Sequence, residues 1–158
     1  MSRLRHPIFQ LALRVALGGF FVYASLDKIA NPAAFAKIVY QWQVLGPVPS
    51  NLVAVVLPWV ELLAGLALVA GVWRREAALV IALMLVVFLG AAASVMARGI
   101  DVENCGCTSV KKVEEPSVFR GVGWFLIGRN LLMLASVAVV IALPAREDAE
   151  PAVAGQPA

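Results

Sequence analysis

The stretch that decides the fold is LVAVVLPWVELLAGLALVAGV, residues 52–72, in which Glu61 is the single charged residue. An α-helix rises about 1.5 Å per residue, so roughly 20 apolar residues cross the ~30 Å hydrocarbon core of a bilayer. Pro58 lies inside the stretch, and transmembrane helices tolerate proline where neighbouring helices satisfy the freed backbone groups. Residues 52–72 therefore predict a transmembrane helix.

Three further apolar stretches of similar length predict transmembrane helices at residues 8–26, 77–97 and 121–143. Of the 158 residues, 61% are hydrophobic and 15% are charged, and the mean hydropathy is +0.87. Soluble domains average about 45–50% apolar and about 25% charged residues, so this composition excludes a water-soluble enzyme. Continuous apolar runs argue against an outer-membrane barrel, whose strands alternate apolar and polar residues. We predict an all-α fold, a four-transmembrane-helix bundle, over residues 1–143.

The segments between and after these stretches complete the predicted architecture. Asn31-Pro32 is typical of a helix start, an N-cap followed by proline, and predicts a short interfacial helix between the first two spans. Arg74-Arg75-Glu76 predicts a tight hairpin, which makes the second and third spans antiparallel neighbours. Residues 144–158 are rich in charged residues, proline, alanine and glycine, and predict a disordered C-terminal tail.

The N-terminus also has features of a secretory signal, because Arg3 and Arg5 precede an apolar run. Arg14 interrupts that run, and the run is longer than the roughly 7–15 residues of a signal core. We therefore expect the first span to be retained.

The distribution of positive charge predicts the orientation in a bacterial inner membrane. Arginines beside the first span and at residues 74–75 favour the cytoplasmic side, although positive residues nearly balance across the two sides. With both termini cytoplasmic, the one substantial polar loop, residues 98–119, is extracytoplasmic. The net charge of +3 comes from residues at the ends of hydrophobic runs, so we predict the lipid bilayer and no nucleic acid as a partner.

Three charged residues lie inside the predicted spans: Arg14, Glu61 and Arg129. A charge near the bilayer centre costs at least about 2.5–3.5 kcal/mol, so we expect pairing. Glu61 and Arg129 fall at matching depth and are predicted to pair, while Arg14 either joins them or reaches the cytoplasmic interface. These residues either lock the bundle together or bind a quinone headgroup or an anionic substrate, since one positive charge is in excess.

Both cysteines lie in the polar loop, in the segment Glu103-Asn104-Cys105-Gly106-Cys107-Thr108. A disulfide across one glycine closes a small ring, which predicts a strained and easily reduced bond typical of catalysis. Lys111 and Lys112 follow Cys107 while Asp101 and Glu103 precede Cys105, so Cys107 is predicted to be the more acidic thiol. The alternatives are half of a metal site, with only the distant His6 to help, and an incidental loop bond.

Several motifs together give the chain a recognisable pattern over residues 8–143. They are Arg14 followed by Gly18-Gly19-Phe20-Phe21 and Ser25-Leu26-Asp27-Lys28-Ile29, Leu57-Pro58-Trp59-Val60-Glu61-Leu62 with Gly65, the C-G-C loop, and Arg129-Asn130-Leu131-Leu132. In these motifs the chain resembles the MauE/DoxX family of redox-associated membrane proteins. The resemblance implies a role in forming disulfides outside the membrane, as in maturation of the disulfide-rich small subunit of methylamine dehydrogenase. Thr108-Ser109 replaces the Phe-Gly usual after the second cysteine, which leaves the client undetermined.

Two hypotheses follow. In the first, Cys105 and Cys107 are the catalytic pair of a membrane thiol–disulfide oxidoreductase or redox relay, which exchanges with a periplasmic client or a thioredoxin-like protein. Arg14, Glu61 and Arg129 are then cofactor-binding candidates, and a quinone is the electron carrier suggested by analogy with other four-helix membrane thiol oxidants. In the second, the chain is a non-catalytic assembly or transport subunit, in which Glu61 and the arginines recognise a partner helix or an anion.

Overall fold

The computed structural model describes residues 7–100 and 123–142, and in these residues the chain is entirely helical. Both cysteines, the N-terminal Arg3 and Arg5, and the predicted tail 144–158 lie outside the described residues. The described part contains five helices: α1 (Pro7–Ala30), α2 (Pro32–Gln41), α3 (Pro47–Ala70), α4 (Arg74–Ala97) and α5 (Trp124–Ala142).

Four of the helices, α1, α3, α4 and α5, are long and apolar enough to cross a membrane, and this confirms the prediction of a multi-pass bundle with a short helix between the first two spans. Their bounds differ from the predicted ones by a few residues. The largest differences are that α1 continues to Ala30 instead of ending at residue 26, and that α3 begins at Pro47 instead of residue 52. The longer α1 takes Lys28 into the bundle, where it is buried.

The turn between α3 and α4 lies earlier than predicted. Gly71, at φ 79°, ends α3 and donates its N–H to the Ala67 carbonyl at 3.0 Å. Trp73 precedes α4 in a left-handed conformation, and Arg74 is already the first residue of that helix. The predicted hairpin at 74–76 was therefore wrong by one helical turn, but the predicted antiparallel packing of the two helices is confirmed, since Leu68 of α3 packs with Ala78 and Ile81 of α4.

The short helix α2 closes one end of the bundle. Asn31 sits at the N-cap position without capping, because its side-chain amide donates back to the Asp27 carbonyl at 3.2 Å. The buried side chains of α2 and its C-cap are Phe35, Ile38 and Trp42, and they pack with residues of α3, α4 and α5, namely Ala54, Ala92, Val95 and Leu126. We call this the α2 end, and the opposite end, with the α3–α4 turn, the hairpin end.

Two glycines form a close contact between α1 and α3. A Cβ built on Gly18 would lie 2.6 Å from the Gly65 carbonyl oxygen, and one built on Gly65 would lie 2.8 Å from the Gly18 carbonyl oxygen. Small residues let membrane helices approach closely and gain van der Waals contact, because lipid offers no hydrophobic driving force between helices. This contact fixes the register of α1 against α3.

Candidate functional site

A buried ion pair connects α1 to α3 beneath α2. The Lys28 Nζ donates to both carboxylate oxygens of Glu61, each at 2.7 Å, and the two side chains are 4% and 8% exposed. The ammonium also lies 5.2 Å from the centroid of the Phe35 ring, so α2 covers the pair with a cation–π contact. The pair is therefore neutral as a unit and shielded from the outside.

The register of the two helices explains this pairing. Lys28 lies about ten residues beyond Gly18, and Glu61 about four residues before Gly65, so their Cα atoms differ in height by roughly 9 Å. Side chains tilt toward the N-terminus of their own helix. Because α1 and α3 are antiparallel, Lys28 reaches inward from the α2 end while Glu61 reaches outward, and the two side chains meet.

The predicted pairing of Glu61 with Arg129 was wrong. Within the described residues, the partner of Glu61 is Lys28, and Arg129 forms no ion pair. The Arg129 guanidinium carbon lies 5.8 Å from the centroid of the Phe20 ring, and its Nε is buried without a hydrogen-bond partner in that part of the chain. Arg129 is therefore a cation inside a predicted span, and no described residue forms an ion pair with it.

Asn130 and two exposed glycines, Gly19 and Gly128, lie next in sequence to the residues of this contact. The neighbouring Asn130 is buried and donates its side-chain amide to the Leu126 carbonyl at 3.0 Å, so it is bound within its own helix. A Cβ built on Gly128 or on Gly19, the residues beside Arg129 and Phe20, would meet no other heavy atom within 4 Å among the residues described. Gly19 and Gly128 thus lie on the exposed surface of their helices.

Arg14 lies at the hairpin end. Its Nε donates to the Leu68 carbonyl at 3.1 Å, and its guanidinium occupies the place where a Cβ at position 71 would be. The last carbonyls of a helix lack partners within it and carry the negative end of its dipole, so a guanidinium there is stabilised. Arg14 was predicted either to join Glu61 and Arg129 or to reach the membrane interface. It does not join Glu61, and its guanidinium lies at the end of α3.

At the α2 end, Arg98, which was not among the candidate residues, joins α4 to the end of α2. Arg98, the C-cap of α4, donates to the carbonyls of Trp42 and Gln43, each at 2.9 Å, and to that of Ser94 at 3.1 Å. These contacts fix the end of α4 to the connection between α2 and α3. The cysteine loop begins only a few residues later in the chain.

An open cleft lies beside this connection. Its volume is about 830 Å³, and its lining includes Tyr40, Gln43, Leu45 and Ile100. Ile100 is the last described residue before the segment that holds Cys105 and Cys107. The cleft and the start of the cysteine loop therefore lie at the same end of the bundle.

The described residues contain no group of three His, Cys, Asp or Glu side chains that could hold a metal ion. His6 and the cysteines lie outside them, so the metal-binding alternative for the cysteine pair stays open.

Comparison with known proteins adds a family match over nearly the whole chain. The family model described as "Methylamine utilisation protein MauE" matches residues 6–143. A protein named methylamine utilization protein MauE from Paracoccus denitrificans is 35% identical over 140 residues, which cover 88% of this chain and 72% of that protein. The protein of the same name from Methylorubrum extorquens is 28% identical over 152 residues, covering 96% of this chain and 78% of the relative. That from Paracoccus versutus is 30% identical over 132 residues, covering 84% and 68%. No solved structure matches the chain.

Proposed function

Because the chain belongs to the MauE family of methylamine utilisation proteins, we propose that it serves methylamine utilisation as a membrane thiol–disulfide oxidoreductase or redox relay. Its task is to support disulfide formation in an extracytoplasmic protein. The observation that carries the proposal is the C-G-C pair: the chain has two cysteines, one glycine separates them, and both fall in the sequence between α4 and α5.

The exchange reaction conserves atoms and electrons. Two thiols of the client are oxidised to a disulfide, and the disulfide between Cys105 and Cys107 is reduced to two thiols. Two electrons and two protons then leave the cysteine pair for a second carrier, and the loop disulfide forms again. The client is a periplasmic protein, for which the small subunit of methylamine dehydrogenase is the first candidate, or a thioredoxin-like protein that passes the disulfide on.

The proposed orientation places both termini in the cytoplasm and the α2 end on the outer face of the bacterial inner membrane. Two features support it. Arg74 and Arg75 then lie on the cytoplasmic side, as the positive-inside rule favours. The cysteine loop lies in the compartment where disulfides persist.

A quinone is the proposed second carrier, and the residues around Arg129 fit one. A quinone accepts two electrons and two protons when bound. The Arg129 guanidinium has a buried Nε with no acceptor in the described chain, so it can donate a hydrogen bond to a ring carbonyl oxygen. Glu61 is engaged by Lys28 and Arg14 lies at the other end, which leaves Arg129 as the main candidate of the three.

The rival function, a non-catalytic assembly or transport subunit, has less support at Glu61. A partner helix that bound Glu61 would have to displace Lys28 from two contacts of 2.7 Å in a buried site. Such a subunit would therefore have to use Arg129 or the exposed arginines, with the cysteines ancillary.

Replacing both cysteines by alanine separates the two functions. Each variant is expressed in a strain from which the gene for this protein has been deleted, and growth on methylamine is measured. We expect no growth with the Cys105→Ala, Cys107→Ala double variant. The matched loop variant Ser109→Ala should restore growth. Full growth with the double variant, at normal protein level, would favour the assembly subunit. For the carrier, Arg129→Met should slow re-oxidation of the loop thiols by added quinone and leave their exchange with a client unchanged.

A further inference from the structure

The hairpin end gathers positive charge and exposed apolar surface. Arg14 of α1 packs against Gly71, while Arg74 and Arg75 begin α4 directly after the turn. Arg74 lies close enough for its charge to act on Arg14. Glu76 is the acidic residue of this first turn, so the described residues here carry an excess of positive charge.

The turn itself exposes a tryptophan in a rare backbone conformation. Trp73 has φ 46° and ψ 45°, and its side chain is 77% exposed. The left-handed region is a genuine outlier for a bulky residue, and such strain persists only where the surrounding structure imposes it. Trp73 makes no side-chain cap to α4, and Val72 beside it is 56% exposed. The strained turn therefore directs an indole and an aliphatic side chain away from the protein.

Arginines and an exposed indole at one end of a membrane span complement a lipid headgroup. Guanidinium groups bind phosphate through charge-assisted hydrogen bonds. Tryptophan settles at the level of the headgroups, with its ring against the upper acyl chains. Basic residues beside a membrane gain about 1 kcal/mol each from anionic lipid, which corresponds to about fivefold in affinity.

We propose that the hairpin end is a binding site for an anionic phospholipid. Arg75, which is exposed, contacts the phosphate, and Arg74 adds positive charge beside it. Arg14 holds the turn in place through its contacts with Leu68 and Gly71. Trp73 and Val72 rest among the headgroups and upper acyl chains. This site is independent of the proposed redox function, because it lies at the end of the bundle opposite the cysteine loop.

The test titrates the full-length protein in detergent with dioctanoyl phosphatidylglycerol, and with the zwitterionic dioctanoyl phosphatidylcholine, and counts bound lipid by native mass spectrometry. We expect the anionic lipid to bind more tightly. Arg75→Gln should weaken it about fivefold, whereas Arg75→Lys should retain most of the affinity. Trp73→Gly should weaken binding without lowering the unfolding temperature, because glycine adopts positive φ readily.

The matched control is Lys37→Gln, which removes an exposed positive charge from α2 at the opposite end. It should leave the affinity unchanged. Equal binding of the two lipids would overturn the proposal, and so would an effect of Lys37→Gln as large as that of Arg75→Gln. Displacement of the lipid by inorganic phosphate at equal concentration would show a phosphate site without lipid recognition, which would also overturn it.

Discussion

The Lys28 ammonium lies 2.7 Å from both carboxylate oxygens of Glu61 and joins the last turns of α1 to the middle of α3. Removing one partner of a buried pair leaves the other charge without a counter-ion and typically costs about 3–5 kcal/mol. We expect Lys28→Met or Glu61→Gln to lower the unfolding temperature of the detergent-solubilised protein strongly. Lys37→Met, on the exposed face of α2, should have little effect.

The exchange Lys28→Glu with Glu61→Lys checks whether the attraction itself matters. It keeps both charges and should recover part of the stability lost in the single variants. If the exchange is as unstable as Glu61→Gln, then other contacts of Lys28, such as that with Phe35, carry the effect.

The pairing of Lys28 with Glu61 was not predictable from hydropathy, for a physical reason. Hydropathy ends a span where charges begin, so the first span was predicted to end at residue 26, which left Lys28 outside the membrane. Yet Gly18, Phe21, Ser25 and Lys28 recur at helical spacing, and all four are buried. Extending that face by one turn would have found Lys28.

The predicted partner of Glu61, Arg129, was chosen by depth in the membrane alone, and this choice was wrong. The matching depths of Glu61 and Arg129 depended on span ends read from hydropathy, and the predicted start of the second span was several residues late. Which helix faces which is decided by packing, here by the contact of Gly18 with Gly65, and a single sequence does not specify that contact. The four spans and α2 were predictable because apolar length and the Asn31-Pro32 start are local signals.

The close contact between α1 and α3 predicts different effects on stability for alanine at Gly18 and at Gly19. Gly18→Ala puts a methyl group 2.6 Å from the Gly65 carbonyl oxygen and should destabilise the bundle by about 1–3 kcal/mol, as overpacking does. Gly19→Ala meets nothing within 4 Å and should be neutral or stabilising, since alanine favours helix over glycine by about 1 kcal/mol. The unfolding temperature should therefore fall for Gly18→Ala and stay the same or rise for Gly19→Ala. Equal shifts would contradict the close approach.

Arg98 should hold the connection between α2 and α3 in place. Arg98→Gln loses hydrogen bonds to the carbonyls of Trp42 and Gln43, each worth about 0.5–1.5 kcal/mol or less where water can replace it. We expect faster amide hydrogen exchange in residues 40–46 and unchanged exchange in the middle of α4. Arg75→Gln, which removes an arginine from the other end, serves as the control. Unchanged exchange at 40–46 would show that Arg98 contributes nothing to the order of this connection.

The proposed orientation predicts which segments an impermeant thiol reagent reaches in intact cells. In a background with Cys105 and Cys107 replaced by alanine, a cysteine at Ser117 should react and a cysteine at Arg75 should not. Permeabilising the cells should expose Arg75→Cys and so serve as the positive control. Labelling of Arg75→Cys alone in intact cells would invert the orientation and place the loop on the cytoplasmic side.

The two cysteines should act in a fixed order during exchange with a client. Lys111 and Lys112 are nearer in sequence to Cys107, so Cys107 is the expected leaving thiolate, and a client thiolate should attack Cys105. Cys107→Ala removes the thiol that re-forms the loop disulfide, so Cys105 should stay joined to its client. Non-reducing electrophoresis should then show a heavier species that reductant collapses. Cys105→Ala should accumulate less of it, and the reverse asymmetry would exchange the two roles. If neither variant gives a mixed disulfide and the double variant still supports growth on methylamine, the cysteines take no part in the function, and the redox proposal fails.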